Sequence, residues 1–160
     1  MLIAVISDTH ISEPSPRLES VYAGHLAGAD AVLHCGDITG RSTWSFLCQH
    51  PNFSAVAGNM DDWELASRLP PRLTVSLDGL TVGLVHGNGL SGRPLSRALA
   101  ESFGPGYDLI CFGHTHTPEH VAYGSTHLVN PGALASHERT PTLALIRTSP
   151  FTVEFIRVDR

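Results

Sequence analysis

Apolar runs recur along the chain, and each closes on a short polar cluster. Leu2 to Ile6 is unbroken apolar, the pattern of a strand covered on both faces, and it ends in Ser7, Asp8, Thr9 and His10. After Pro14 and Pro16, Leu18, Val21, Tyr22, His25 and Leu26 recur at three-to-four-residue spacing, which predicts a helix that Gly28 stops. A second strand, Ala31 to His34, runs into Cys35, Gly36 and Asp37. A helix from about Ser42 to Gln49 then precedes a third strand, Phe53 to Ala57, ending in Gly58, Asn59, Met60 and Asp61. Strand, polar loop and helix in alternation is the rhythm of an α/β sheet, where ligands bind beyond the carboxyl ends of the strands.

At Leu73 the rhythm changes. Leu73 to Leu77, a turn at Asp78 and Gly79, and Leu80 to Val85 read as a hairpin that finishes in His86 and Gly87. A helix beginning near Pro94 runs to Phe103, is broken by Gly104, Pro105 and Gly106, and gives way to the strand Asp108 to Phe112, which delivers Gly113, His114, Thr115 and His116. The remainder is strand-rich: Glu119 to Tyr123, Thr126 to Val129, the loop Asn130, Pro131, Gly132, then Thr142 to Arg147 and Phe151 to Val158. This stretch reads as a second, mostly antiparallel sheet. With no repeat or linker composition between the halves, both sheets are expected in one sandwich with helices outside.

Composition narrows the chemistry. A chain of 160 residues, 42% hydrophobic and 16% charged, suits a single domain spanning residues 1–160. Net charge is -5 with no basic run, so neither long nucleic acid nor an anionic membrane is an expected partner, and a small anionic substrate needs a local source of positive charge. All ten basic residues are Arg, which excludes a P-loop lysine, a Schiff-base lysine and a Ser-Lys dyad. Cys35, Cys48 and Cys111 have no CxxC spacing, so reduced, buried thiols are expected rather than disulfides or a thiolate zinc site. No basic segment precedes a long apolar stretch, so neither a signal peptide nor a membrane span is expected, and the cytoplasm is the expected compartment.

Taken singly, the polar clusters are weak signals: Asp37 could cap a helix, Asn59 could sit in a turn, and His86, His114 or His116 could be exposed loop residues. Together they matter, because five predicted strand ends carry Asp, Asn or His while strand interiors almost lack them. If the ends converge, Asp8, His10, Asp37, Asn59, His86, His114 and His116 offer carboxylate, amide and imidazole donors without a thiolate. That set suits Mn, Fe, Zn or Ni rather than Ca. Seven such groups exceed the needs of one cation and fit two held about 3.5–4 Å apart, with the central Asp37 as the shared carboxylate.

The ordered set SDTH (Ser7 to His10), GD (Gly36, Asp37), GNMD (Gly58 to Asp61), HG (His86, Gly87) and GHTH (Gly113 to His116) resembles the calcineurin-like metallophosphoesterases. The later NPG at Asn130 to Gly132 is similar to the compact YfcE-type branch. The resemblance implies a four-layer αββα sandwich of two mixed sheets flanked by helices. It places Asp8, His10, Asp37 and His116 on one divalent metal and Asp37, Asn59, His86 and His114 on the other, with Mn the expected ion and Ni, Fe or Zn as alternatives. Asp37, Asn59 and His86 are the expected catalytic core. Two cations there would clamp phosphoryl oxygens and lower the pKa of a bridging water so that hydroxide attacks a phosphodiester.

Many members of that family carry His between the Asn and the Asp of GNxD; here the residue is Met60, whose thioether donates no proton. This favours substrates with good leaving groups. Asp61 is expected to orient the site from behind, Asp62 to be a solvated charge at a helix start, and Asn130 and Arg139 to support the site or a substrate phosphate. Trp44 and Trp63, on helices near the polar loops, are read as packing residues. The expected partner is a small phosphate ester, with a homo-oligomer allowed. The competing functions are a phosphomonoesterase or nucleotide pyrophosphatase, and a non-catalytic protein-binding scaffold of the same fold.

Overall fold

The structure, a computed structural model, describes residues 1–90, 94–135 and 140–158, so Arg139 lies outside the described residues. Ten strands form two five-stranded mixed sheets. The first has the order β10-β9-β1-β2-β3, built from β1 (Leu2–Ile6), β2 (Ala31–His34), β3 (Phe53–Ala55), β9 (Thr142–Thr148) and β10 (Phe151–Arg157). The second has the order β4-β5-β6-β8-β7, built from β4 (Arg72–Leu77), β5 (Leu80–Val85), β6 (Leu109–Cys111), β7 (Glu119–Tyr123) and β8 (Thr126–Asn130).

Alternation along each strand sorts side chains between layers. Ile3, Val5 and Leu33 of the first sheet meet Val82, Leu84, Leu109 and Val129 of the second in the central core. The opposite face of the first sheet, with Ala4, Ile6 and Val32, is covered by Leu18, Val21 and Leu26 of the α1 region and Leu47 of α2. Leu99 and Phe103 of α4 cover Ile110, Phe112 and Leu128 of the second sheet. The four-layer arrangement expected from the sequence is therefore present, with α1 (Pro16–Val21), α2 (Arg41–Leu47), α3 (Trp63–Arg68) and α4 (Leu95–Phe103) outside.

Beyond small shifts of element ends, the architecture differs from the sequence reading in these respects. The last two strands do not join a second antiparallel sheet: β9 pairs antiparallel with β1, placing Ile3 opposite Ile146, and brings β10 with it. The predicted helix across Leu18 to Leu26 is α-helical only to Val21 and continues as a π-helix over Tyr22–Leu26, closed by the Ala27 N–H bond to the Tyr22 carbonyl at 2.8 Å. Cys35 and Cys111 are buried free thiols as expected, but Cys48 is exposed at the end of α2.

Parallel pairing of β1 with β2 and β2 with β3, and of β5 with β6, aligns their carboxyl ends in each sheet. Backbone bonds tie the following loops together within each sheet. Asp8 N–H donates to the Gly36 carbonyl, His10 N–H to that of Asp37 and Gly113 N–H to that of His86.

Candidate metal centre

The loops that leave these strand ends hold their polar side chains through unusual backbone. Asp8, His10, Asp37, His114 and His116 all have φ between 50° and 70°, a region L-residues seldom occupy and one that concentrates at functional sites. Close packing forces glycine next to them. A Cβ on Gly58 would stand 2.0 Å from Asp37 Oδ1, and one on Gly113 would stand 2.0 Å from Ser7 Oγ and 2.7 Å from Asp8 Oδ2.

Two groups of potential ligand atoms result. Asp8, His10 and His116 form one, and Asp8, Asp37 and His86 the other, each with its atoms within 4.8 Å of one another. In the first, His10 Nε2 and His116 Nε2 are 3.3 Å apart and lie 3.7 and 3.2 Å from Asp8 Oδ1. In the second, His86 Nε2 is 3.2 Å from Asp37 Oδ2 and 4.0 Å from Asp8 Oδ1. Asp37 Oδ2 is also 3.6 Å from His10 Nε2, so both carboxylates reach both groups. Asn59 Oδ1 approaches His86 Nε2 to 3.1 Å. The His114 ring packs edge-on against that of His86 at 5.1 Å, but His114 belongs to neither three-residue group.

Surrounding hydrogen bonds aim these atoms. His86 Nδ1–H donates to the Cys35 carbonyl at 2.8 Å, which leaves Nε2 to face the site. Asp37 Oδ1 accepts the Met60 N–H at 2.8 Å, leaving Oδ2 turned toward the histidines. Asp8 Oδ2 accepts from Ser7 Oγ and from the His114 N–H, while Oδ1 is buried with no hydrogen-bond partner among the described residues. Asp61 accepts Thr39 N–H at 2.8 Å and Gly58 N–H at 2.7 Å. Asn130 closes β8 rather than lying in a loop; its Nδ2 donates to the Gly113 carbonyl and Thr115 Oγ1, and its Oδ1 accepts from Gly132 N–H. Asp62 caps α3 by accepting the Leu65 N–H.

The charges are mismatched as they stand. Burial raises the Asp8 carboxyl above its usual range, an effect the Ser7 hydroxyl and the neighbouring imidazoles only partly offset. Burial pushes Asp37 the same way, but hydrogen bonds from His86 and Met60 N–H, with the His86 and His10 charges, outweigh it and hold the carboxyl low. Burial alone would lower His86; its bond to Asp37 and the two carboxylate charges raise it instead. The donor set fits divalent cations, since an orphaned carboxylate oxygen, an oriented imidazole and two opposed imidazole nitrogens converge on one space.

His34, at the end of β2, falls outside the sequence motifs and reads there as a structural or surface residue. It is fully buried. Gly36 N–H donates to its Nδ1 at 3.2 Å, so Nε2–H faces Thr9 Oγ1 at 3.3 Å, and that hydroxyl reaches the carbonyls of Asp37 and Ile38. One imidazole thereby braces two ligand-bearing loops. Of the two tryptophans, Trp44 packs on Ile38, Ala55 and Leu65 as expected, whereas Trp63 is 83% exposed.

With this geometry established, comparison with known proteins defines the class. Residues 1–150 match the calcineurin-like phosphoesterase superfamily domain, and the chain belongs to that family. A probable metallophosphoesterase of Methanocaldococcus jannaschii is 30% identical over 152 residues, covering 93% of this chain and 76% of the relative. A phosphodiesterase of the same organism is 25% identical over 161 residues, covering 92% and 93%. The solved structure of Chaetomium thermophilum Vps29 superposes with a TM-score of 0.75 at 23% identity, covering 98% of this chain and 96% of that one, a likeness of fold. Among the described residues no helix is long and apolar enough to cross a membrane.

Proposed function

We propose that this chain is a two-metal phosphodiesterase acting on small phosphodiesters, with Mn as its ion and Ni, Fe or Zn as alternatives. Asp8, His10, Asp37 and His116 would hold one cation; Asp37, Asn59, His86 and His114 would hold the other. The carrying observation is His86: its Nδ1 proton is committed to the Cys35 carbonyl, which turns Nε2 toward Asp37 Oδ2 and Asn59 Oδ1, so that imidazole, carboxylate and amide donors from three loops face one space. Bound divalent ions supply positive charge to phosphoryl oxygens and acidify coordinated water, which supports phosphate-ester hydrolysis by an acidic protein.

The chain's own residues set the limits of that chemistry. Met60 N–H fixes Asp37, but the Met60 side chain, 57% exposed, brings no proton to a departing alkoxide. Esters whose leaving group departs unprotonated are therefore favoured. The phosphodiesterase name of the 25% identical relative supports the diester over the monoester or pyrophosphate reading. Free cysteines support the cytoplasm as the compartment.

Bis(4-nitrophenyl) phosphate, 4-nitrophenyl phosphate and a dinucleoside polyphosphate, compared with Mn present, test the specificity. The diester should turn over at least about tenfold faster than either competitor, as leaving-group control without a general acid requires. A monoester or polyphosphate preference contradicts it. A second reading, a protein-binding scaffold, is favoured by Met60 and Trp63, apolar side chains exposed beside the site at 57% and 83%; absence of turnover with Mn, Ni, Zn and Fe would support it.

A further inference from the structure

A cavity of about 420 Å³ lies on the helix-covered side of the first sheet, lined by Thr9 and Ile11 from the loop after β1, by Arg17, Leu18 and Val21 of α1, and by Leu134. Its size is that of a small-molecule site. Apolar side chains make most of the wall. Its polar members Ser15 and Thr9 are already engaged, Ser15 capping α1 through the Leu18 N–H and Thr9 bonding backbone carbonyls of the candidate metal centre.

Arg17 is different. Its Nη1 is buried and has no hydrogen-bond partner among the described residues. Four other arginines are engaged: Arg41 and Arg68 share Glu64, Arg97 pairs with Glu101, and Arg72 stacks on Phe103. A guanidinium is always charged, and an N–H removed from water without an acceptor is costly, so Arg17 presents an unmet demand for an anion at the edge of an apolar cavity.

We infer that this cavity binds a small amphipathic monoanion, with the apolar body against Ile11, Leu18, Val21 and Leu134 and a carboxylate on the Arg17 guanidinium. Rotation of the terminal torsions of Arg17 turns Nη1 onto the carboxylate, in the paired geometry a guanidinium fork offers. Charge complementarity selects the occupant: on a chain of net charge -5, the Arg17 guanidinium gives this apolar cavity a local attraction for an anion. The site is separate from the metal centre, although Thr9 and Ile11 flank His10, and its existence does not depend on phosphodiesterase activity.

The test uses octanoate as the probe, with octanol as its neutral counterpart and acetate as an anion without an apolar body, monitored by NMR shifts of Leu18, Val21 and Leu134 methyl groups. Octanoate should give saturable shifts, with octanol and acetate weaker by about tenfold or more, since each lacks one half of the recognition. Arg17→Gln, at a half-exposed position, should abolish the preference for octanoate over octanol. It should leave phosphate-ester turnover without octanoate within about twofold, as expected of a surface change remote from the chemistry. Val21→Phe should weaken both ligands by filling the cavity. Equal binding of octanoate and octanol, unchanged octanoate binding in Arg17→Gln, or no saturable shift at these methyls would overturn the assignment.

Discussion

His10 Nε2 and His116 Nε2 stand 3.3 Å apart although 106 residues separate them, and both face Asp8 Oδ1, at 3.7 and 3.2 Å. Two imidazole nitrogens and a carboxylate oxygen aimed at one point are the beginnings of a coordination shell. Protons and cations compete for such a shell.

Metal binding should therefore be visible as stability. Adding Mn or Zn to chelator-stripped protein near pH 7.5 should raise Tm, by about 2.7 kcal/mol of free energy when free metal exceeds Kd a hundredfold. His116→Ala should lose most of the effect. Differential scanning calorimetry provides the check; a Tm indifferent to metal would contradict the reading of this cluster.

Met60→His should act on rate rather than stability. At 57% exposure the substitution costs little, within about 0.5 kcal/mol. A proton donor would then stand next to Asn59, and general acid catalysis is worth about 10²–10⁴-fold where departure of the leaving group is limiting. Alkyl phosphodiesters should gain more than 4-nitrophenyl esters. Equal gains for both would show that the new imidazole works otherwise.

His34 makes stability depend on pH. Burial, followed by the His86 charge, lowers its pKa from 6.5 to about 3. Unfolded chains thus bind a proton near pH 6.5 that the folded protein refuses until about pH 3. Stability from this residue is complete above pH 6.5 and is lost as pH falls through the interval, by at most about 1.4 kcal/mol per pH unit. His34→Gln keeps a donor for Thr9 but removes the titration. Urea unfolding of metal-free protein should show the variant less stable by about 1–3 kcal/mol at pH 7, a deficit that closes toward pH 4. A deficit independent of pH would refute the assignment.

Asp61→Ala removes the acceptor for two backbone N–H groups, those of Thr39 and Gly58. The expected loss is on the order of 3 kcal/mol, since both bonds go to a charged group. Turnover should fall further than stability alone explains, because Gly58 adjoins Asn59 and the loop that holds Asp37. Chemical denaturation and steady-state kinetics on the same preparation separate the two effects. Wild-type kcat with reduced stability would limit Asp61 to a structural part.

Much of this was legible in the sequence because the signals are local. β1, β2, β5 and β7 have the predicted bounds, since each is a short apolar or alternating run closed by turn residues. The polar strand ends named the residues that the structure gathers. Partner choice was not legible: nothing local in Thr142 to Val158 tells β9 to seek β1 across the whole chain instead of β8 nearby. Nor was the part His34 plays: at the end of β2 it reads only as structural or surface until its bonds to Gly36 and Thr9 are seen. The backbone strain at Asp8, His10 and Asp37 likewise arises from packing between loops, which no pattern along the chain records.

The most direct measurement titrates Mn into metal-free wild-type protein and into Asp37→Ala, following bound metal and bis(4-nitrophenyl) phosphate hydrolysis together. Wild type should take up two ions per chain and reach full activity only with the second, whereas Asp37→Ala should bind at most one and lose at least about 10³-fold in turnover, as removal of a group that holds the catalytic charge predicts. Full activity with a single ion, or undiminished turnover in Asp37→Ala, would contradict the two-metal account.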